Sequence, residues 1–346
     1  MKPESIDRRH LSISPLASGQ TSCFNEKGRE IPCSGTGQDG ESRYGSAWPV
    51  PRFEVHGETV KDLLTGLVWL RNANCNEFPL TWQEALDLAA EINSRGTAGF
   101  NDWRLPNRRE LHSLVSYQAK KPALPDKHPF KNVFLGWYWS ATSAAINPSY
   151  AWYLHMEGAR MFYGRKDQYC LFWPVRGESS VLAATGQKKC FDGSGKQIPC
   201  RGSGQDADFL LGLEPLSPRF IEDGEIVHDR FTGLTWFKDA NFFGEAASWR
   251  QAFEKVDRLN EQTIGRRRDW LLPSINALES LVDCSCHSPA LPDGHPFTKV
   301  QEVYWSSTSS FFEPDWAWAL YLNKGALGVG YKQTSGFAVW PVCYSY

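Results

Sequence analysis

Asn101-Asp102-Trp103-Arg104-Leu105-Pro106-Asn107-Arg108-Arg109-Glu110-Leu111 reads as a corner where a strand hands over to a helix. Trp103 and Leu105 alternate with Asp102 and Arg104, which suits a short half-buried strand. Pro106 ends that strand, because the residue before a proline is pushed out of helical backbone. Asn107 can cap a new helix and Glu110 can reach back to the cap, a capping box. Leu111, Leu114 and Val115 then supply an apolar helix face. A second corner, Asp269-Trp270-Leu271-Leu272-Pro273-Ser274-Ile275-Asn276-Ala277-Leu278, keeps the geometry with Leu271 for Arg104 and Ala277 for Glu110.

The two corners belong to a long internal repeat. Trp103 and Trp270 stand 167 positions apart (270 − 103), as do Cys23 and Cys190, Trp82 and Trp249, and Pro174 and Pro341. Trp139/Trp305 and Trp152/Trp318 stand 166 apart. A period this long means two tandem domains, each large enough for its own core. The expected layout is a flexible lead-in over 1–18, a first domain over 19–177, a small-residue linker near Gly177 to Gly186, and a second domain over 186–346. Within each, a helix starts at Thr81 or Ser248, with Glu84 or Gln251 completing the cap. A second helix starts at Asn107 or Ser274. Antiparallel strands are expected at Tyr138 to Thr142 and Ala151 to Met156, and Trp173-Pro174 marks a sheet edge or bulge. Two helices beside antiparallel strands make an α+β plan.

The same motifs resemble the Lcl C-terminal-domain family, named for the Legionella collagen-like adhesin. They are T-G-L-V-W (Thr65 to Trp69), T-W-Q-E-A-L (Thr81 to Leu86), the D-W-R-L-P-N-R-R-E-L corner, P-A-L-P (Pro122 to Pro125), Y-W-S-A-T-S (Tyr138 to Ser143), A-W-Y-L (Ala151 to Leu154) and W-P-V-R-G (Trp173 to Gly177). The resemblance runs along nearly the whole chain twice. It implies a C-type-lectin-like fold, with two helices packed on short antiparallel sheets in each copy, and a binding role of the adhesin kind. It does not fix a ligand.

The chain has 346 residues, 41% hydrophobic and 22% charged, an ordinary globular mixture. A net charge of −2 gives no nucleic-acid-scale basic field, so any anion site must be a local patch. No run approaches the ~18 apolar residues of a membrane span. Fifteen tryptophans read first as core and corner anchors; Trp103 and Trp270 are structural on this reading. Cys23–Cys33 and Cys190–Cys200 share a ten-residue spacing around Gly- and Lys-containing turns, and each is read as a disulfide-closed hairpin. Half a zinc site is the alternative, but the spacing and ligand count are wrong for it. Cys75, Cys170, Cys284, Cys286 and Cys343 have no repeat equivalents; being five, they leave at least one free or intermolecular thiol. Disulfides place the protein at the cell surface or outside the cell. Met1 to Thr21 lacks an apolar signal segment, so a removed leader is supposed, with a cytoplasmic protein of reduced thiols as the alternative.

The strongest functional lead is a basic cluster in copy 1: Arg108, Arg109, His112, Lys120, Lys121, Lys127 and Lys131. Copy 2 has Ile275, Asn276, Glu279, His287, Ser288, Gly294 and Thr298 there. If the arginines lie on the open side of the second helix, the cluster is an anion patch for an acidic or sulfated polysaccharide. Otherwise it is a solvated helix face balanced by Glu110 and Asp126. Aromatic residues at strand ends can stack on sugars or meet a protein receptor: Trp137, Tyr150, Phe311, Phe312 and Trp316. Arg266-Arg267-Arg268 is a weaker basic candidate. No cofactor or catalytic motif stands out. Cys284-Ser285-Cys286 is the one thiol pair comparable to that of formylglycine-generating relatives. His128-Pro129 and His295-Pro296 are read as turns whose rings bond backbone rather than as metal ligands. Glu313-Pro314-Asp315 resembles a lectin calcium triplet but lacks partner carboxylates, and is read as a proline turn. Arg104 is expected to be structural, paired with Glu110 before Asp102.

Overall fold

The computed structural model describes residues 12–334 and 336–344. It is α+β and consists of two repeated halves. The first body carries helix α1 (Trp82–Ser94) and helix α2 (Arg108–Ser113), with strands β1 (Trp137–Ser143), β2 (Tyr150–His155) and β3 (Met161–Arg165). The second carries α3 (Trp249–Glu261), α4 (Ile275–Glu279), β4 (Val303–Ser309), β5 (Trp316–Tyr321) and β6 (Ala326–Tyr331). Each body adds a four-stranded sheet. In the first, Phe53–His56, Thr59–Asp62, Val68–Leu70 and Val175–Arg176 follow in that order, so the strand after Trp173-Pro174 lies at the edge. Capping boxes are present at Thr81/Glu84, Asn107/Glu110 and Ser248/Gln251, while Ser274 accepts from the Ala277 amide.

The expected strand at Trp103 to Leu105 is reduced to a single bridge between Arg104 and Val175. Tryptophan does anchor the core: Trp69, Trp103 and Trp173, with Trp236, Trp270 and Trp340 in the second body, are fully buried. β1–β3 and β4–β6 do not form separate sheets. They join into one six-stranded sheet of order β4-β5-β6-β3-β2-β1, through the pair Leu327↔Met161. The order is palindromic about that pair, so the internal two-fold survives the fusion.

Both cysteine pairs are disulfides, with Cα atoms 5.2 Å and 5.1 Å apart, within the usual range. Each closes a two-stranded hairpin, Cys23–Phe24 with Glu30–Ile31 and Cys190–Phe191 with Gln197–Ile198. The remaining five cysteines are free. Alkylation of the denatured, unreduced chain should therefore label five of nine cysteines, and all nine after reduction. Mass spectrometry reading seven or nine before reduction would contradict the pairing.

The hairpins are exchanged. The first, from copy 1 by sequence, docks on the second body: Gln20 trades hydrogen bonds with the Ser309 backbone (2.8 and 2.9 Å), and the Thr308 hydroxyl donates to Asp39 (2.5 Å). The second docks on the first body through the equivalent contacts, Gln187 with Ser143 (2.8 Å each way) and Thr142 with Asp206 (2.6 Å). A buried lysine clamps each one. Lys332 donates to the carbonyls of Phe24 and Asn25 over the Trp249 ring, and Lys166 to those of Phe191 and Asp192 over the Trp82 ring. At Gly28 (φ 74°) a Cβ would lie 2.8 Å from the Asp315 amide, and at Gly195 (φ 86°) 2.8 Å from the Ser149 amide. Only glycine lets each turn sit this close to the other body.

The sequence repeat and the packed unit are therefore offset, because each hairpin covers the neighbouring body. Residues 12–18 also depart from a flexible lead-in. The Asn276 amide donates to the Leu16 carbonyl, Trp48 to that of Ala17, and Ser18 is buried. Residues 1–11 of that lead-in lie outside the described residues.

Candidate binding site

The Asn107 corner aims the basic cluster in two directions. α2 is short and buried on every side, so its arginines have no open face. Arg108 is fully buried, and Arg109 and His112 are less than a tenth exposed. Arg108 and Arg109 share Glu279 of the second body, at 2.7 and 2.8 Å. Their remaining Nη atoms donate to the carbonyls of Gly325 and Val282, both at 2.6 Å. The Arg108 guanidinium also lies 4.6 Å from the Trp152 ring centroid. His112 bonds the Tyr117 hydroxyl at 2.8 Å, and burial pushes its pKa down to about 4. These three residues were expected on an anion patch. They instead form the polar core of the junction between bodies. Arg104 goes to Glu110, by two bonds of 2.6 Å, and to the Gly177 carbonyl. Asp102, the second expected partner, takes Arg176.

The lysines behave otherwise. Lys120, Lys121 and Lys127 are exposed and line one open depression of about 430 Å³ beside His128. Phe311 and Phe312, from the β4–β5 loop of the second body, reach the same edge. Lys120 Nζ lies 5.8 Å from the Phe311 ring and Lys121 Nζ 5.3 Å from the Phe312 ring. Lys121 also pairs with Glu157 at 2.7 Å, and Arg160 with Glu313 at 3.1 Å. Residues 191 positions apart in sequence thus border one cationic and aromatic cleft at the junction. On the other side of the two-fold, His287 and Ser288 stand for the lysines, with Ala145 and Ile146 for the phenylalanines. Among the described residues this pairing of lysines with phenylalanines occurs once. Lys131 and Trp316 are not part of it: Lys131 is exposed at a bridge with Asn72, and Trp316 packs against Tyr331 at 5.6 Å.

The Lcl C-terminal domain model matches residues 58–176 and again 225–343. The chain belongs to this family. Both matched segments begin after the exchanged hairpins, so each Lcl C-terminal domain coincides with one body. A comparison with curated proteins returns no match.

Other candidates resolve from their surroundings. The two Lcl C-terminal domains bury Cys284 between them, 3.8 Å from Arg108 Nη1, and burial pushes its thiol up to about 11. Cys286 is also raised, chiefly by burial. Neither is an activated thiolate. The rings of His128 and His295 stack on Phe130 and Phe297, both at 5.9 Å. Their Nδ1 atoms are buried and unpaired, so the expected backbone bond is not made through that nitrogen. Pro314 and Asp315 sit beneath the Gly28 turn, and the Glu313 carboxylate is held by Arg160. That triplet is a covered turn. Arg267 is tied to Asp269 and Arg268 to Thr263, which breaks up the triple-arginine run.

Sequence reasoning missed Glu279 and Arg160. Glu279 carried a usable signal: it replaces His112 in the repeat, opposite two arginines that copy 2 lacks. Arg160 carried none, since its partner comes from the other body.

Proposed function

We propose that this protein is an adhesin-like, extracellular or cell-surface binding protein of C-type-lectin-like type, and that it holds an acidic or sulfated polysaccharide in the junction cleft. One observation carries the reading: Lys120 and Lys121 are exposed beside Phe311 and Phe312 on one side of the two-fold and replaced on the other. Flexible ammonium groups suit scattered sulfates or carboxylates. Half-buried rings beside them suit the apolar faces of sugars. Two disulfides support an oxidising location. The raised thiols of Cys284 and Cys286 speak against a thiolate nucleophile.

With a whole-chain charge of −2, attraction is confined to the patch and falls with salt. Immobilised dextran sulfate should bind the protein at about 0.05 M salt and release it near about 0.5 M. Lys120→Glu with Lys121→Glu should weaken low-salt binding by about tenfold or more and flatten the salt dependence. The melting temperature should hardly move, since both side chains are exposed. Unchanged binding in that variant would overturn the cleft reading.

A further inference from the structure

The outer face of the six-stranded sheet carries a row of aromatic rings that crosses the junction. Trp137 lies 4.1 Å from Tyr153, and Tyr153 faces Phe162 across β2 and β3. Phe162 lies 6.4 Å from Tyr321, Tyr321 5.9 Å from Phe337, and Phe337 4.4 Å from Trp305. All but Trp305 are half-buried. Sheet side chains ordinarily stand away from the backbone. Here they lie down, because glycines occupy the neighbouring strand positions. A Cβ on Gly164 would fall 2.3 Å from the Tyr153 ring, on Gly328 2.9 Å from the Tyr321 ring, and on Gly330 2.2 Å from the Phe337 ring. The rings lie close over these glycines, tilted by 43° to 72° against their neighbours in the row.

The row is a joint product of the two copies. Tyr153 and Phe162 come from the first, and their repeat equivalents are Ala319 and Gly328. Tyr321 comes from the second, where the first has His155. The row also runs into the cleft. The β2–β3 turn carries Glu157, which pairs with Lys121, and Gly158, where a Cβ would be 3.4 Å from Phe312. Arg160 leads from that turn into β3, two residues before Phe162.

We infer that this aromatic row is a second saccharide subsite, on which a linear oligosaccharide stacks its pyranose rings as it leaves the cleft. A row of half-buried, mutually tilted rings offers no free-standing knob of the kind that anchors protein partners. It does match the flat C–H face of a sugar ring, whose axial hydrogens meet the negative face of an aromatic ring. Ring centres 4.1, 6.4, 5.9 and 4.4 Å apart give steps that a saccharide chain can follow. The subsite extends the cleft reading but does not depend on charge.

The test uses the full chain and two sets of probes: dextran sulfate, and neutral hexasaccharides of β-1,4-, β-1,3- and α-1,4-linked glucose. Tryptophan fluorescence follows binding. At least one neutral hexasaccharide should bind without salt dependence. Phe162→Ala with Tyr321→Ala should weaken it by about tenfold. Tyr321→Phe should keep the affinity, because the ring remains. Lys120→Glu with Lys121→Glu should leave neutral binding intact while losing dextran sulfate. If no neutral probe binds and the ring variant leaves dextran sulfate affinity unchanged, the subsite is refuted while the cleft stands. Loss of dextran sulfate binding in neither variant refutes the cleft as well. A dimer in sedimentation that dissociates in the ring variant would also overturn the subsite, by showing the face to be covered by a second copy.

Discussion

Glu279→Ala should destabilise the protein by about 3–5 kcal/mol, the cost of stranding a buried charge, read by urea unfolding of the full chain. Two guanidiniums, Arg108 and Arg109, depend on that one carboxylate in the junction. Glu279→Gln should lose nearly as much, since it keeps the shape and removes the charge. The acid limb of stability tests the same contact. Burial pushes the Glu279 pKa up, and Arg109 and then Arg108 outweigh it, so the folded value lies below the ordinary carboxylate value of 4.5. The folded state therefore holds its proton less tightly than the unfolded chain. The stabilisation is complete above about pH 4.5 and is lost as pH falls through the lower folded value. Wild type should lose stability steeply in that window, and Glu279→Gln should lack this component. A Glu279→Ala protein within about 1 kcal/mol of wild type would show that the junction does not rely on the cluster.

The cluster also explains why copy 1 pairs with copy 2. Two copies of α2 facing each other would oppose four arginines with His112 where Glu279 stands, and Glu110 is already taken by Arg104. The arrangement seen sets His112 opposite its repeat equivalent Glu279, and Arg109 beside Asn276 in the same small cavity. Burial keeps His112 neutral, so the contact itself is made by the two guanidiniums and the carboxylate between them. Divergence between the copies thus favours the heterologous contact over a homotypic one.

What could be read from the sequence was local. Thr81 with Glu84, and Asn107 with Glu110, satisfy backbone groups three residues away, so spacing reveals them. The disulfides span ten residues and repeat. Trp103 and Trp270 follow strand alternation into the core. The hairpin exchange was not legible, because an offset of 167 residues shows that Asp39 and Asp206 are equivalent but not which body each one meets. Both possible dockings would use the same side chains. The direction of Arg108 and Arg109 was hidden for a related reason. A cluster of arginines and lysines resembles a surface until a carboxylate far away in the chain is known to face it. Phe311 and Lys120 were each legible as binding residues, but their meeting in one cleft was not. β3 escaped notice because Gly164 and the mixed exposure of Phe162 and Tyr163 blur its alternation.

Arg104→Leu should destabilise by about 3–5 kcal/mol, whereas Arg104→Leu combined with Glu110→Ala should recover most of that loss. Both side chains of the pair are nearly fully buried, 6% and 3% exposed, and the two oxygens meet the two nitrogens as a fork. Removing the arginine alone leaves Glu110 charged in the corner. Removing both lets apolar atoms occupy the space, and a buried pair exchanged for hydrophobic residues is often neutral. The second body already carries that exchange: Leu271 and Ala277 hold the equivalent corner, and Leu271 keeps the bridge to Val342 that Arg104 makes to Val175. Recovery should stop short of complete. Glu110 Oε2 also accepts from the Asn107 amide at 2.8 Å, the reciprocal half of the capping box. Copy 2 works without it, since Ser274 still accepts from the Ala277 amide. About 1 kcal/mol should remain missing from the lost cap, together with the bond from Arg104 to the Gly177 carbonyl. The double-mutant cycle by urea unfolding should give a coupling energy of about 3 kcal/mol or more. Additive losses would mean that the two residues contribute separately. Dextran sulfate binding should be unaffected in the folded double variant, because the pair lies away from Lys120 and Phe311. A variant that keeps its stability but loses the glycan would move Arg104 from the frame to the binding site.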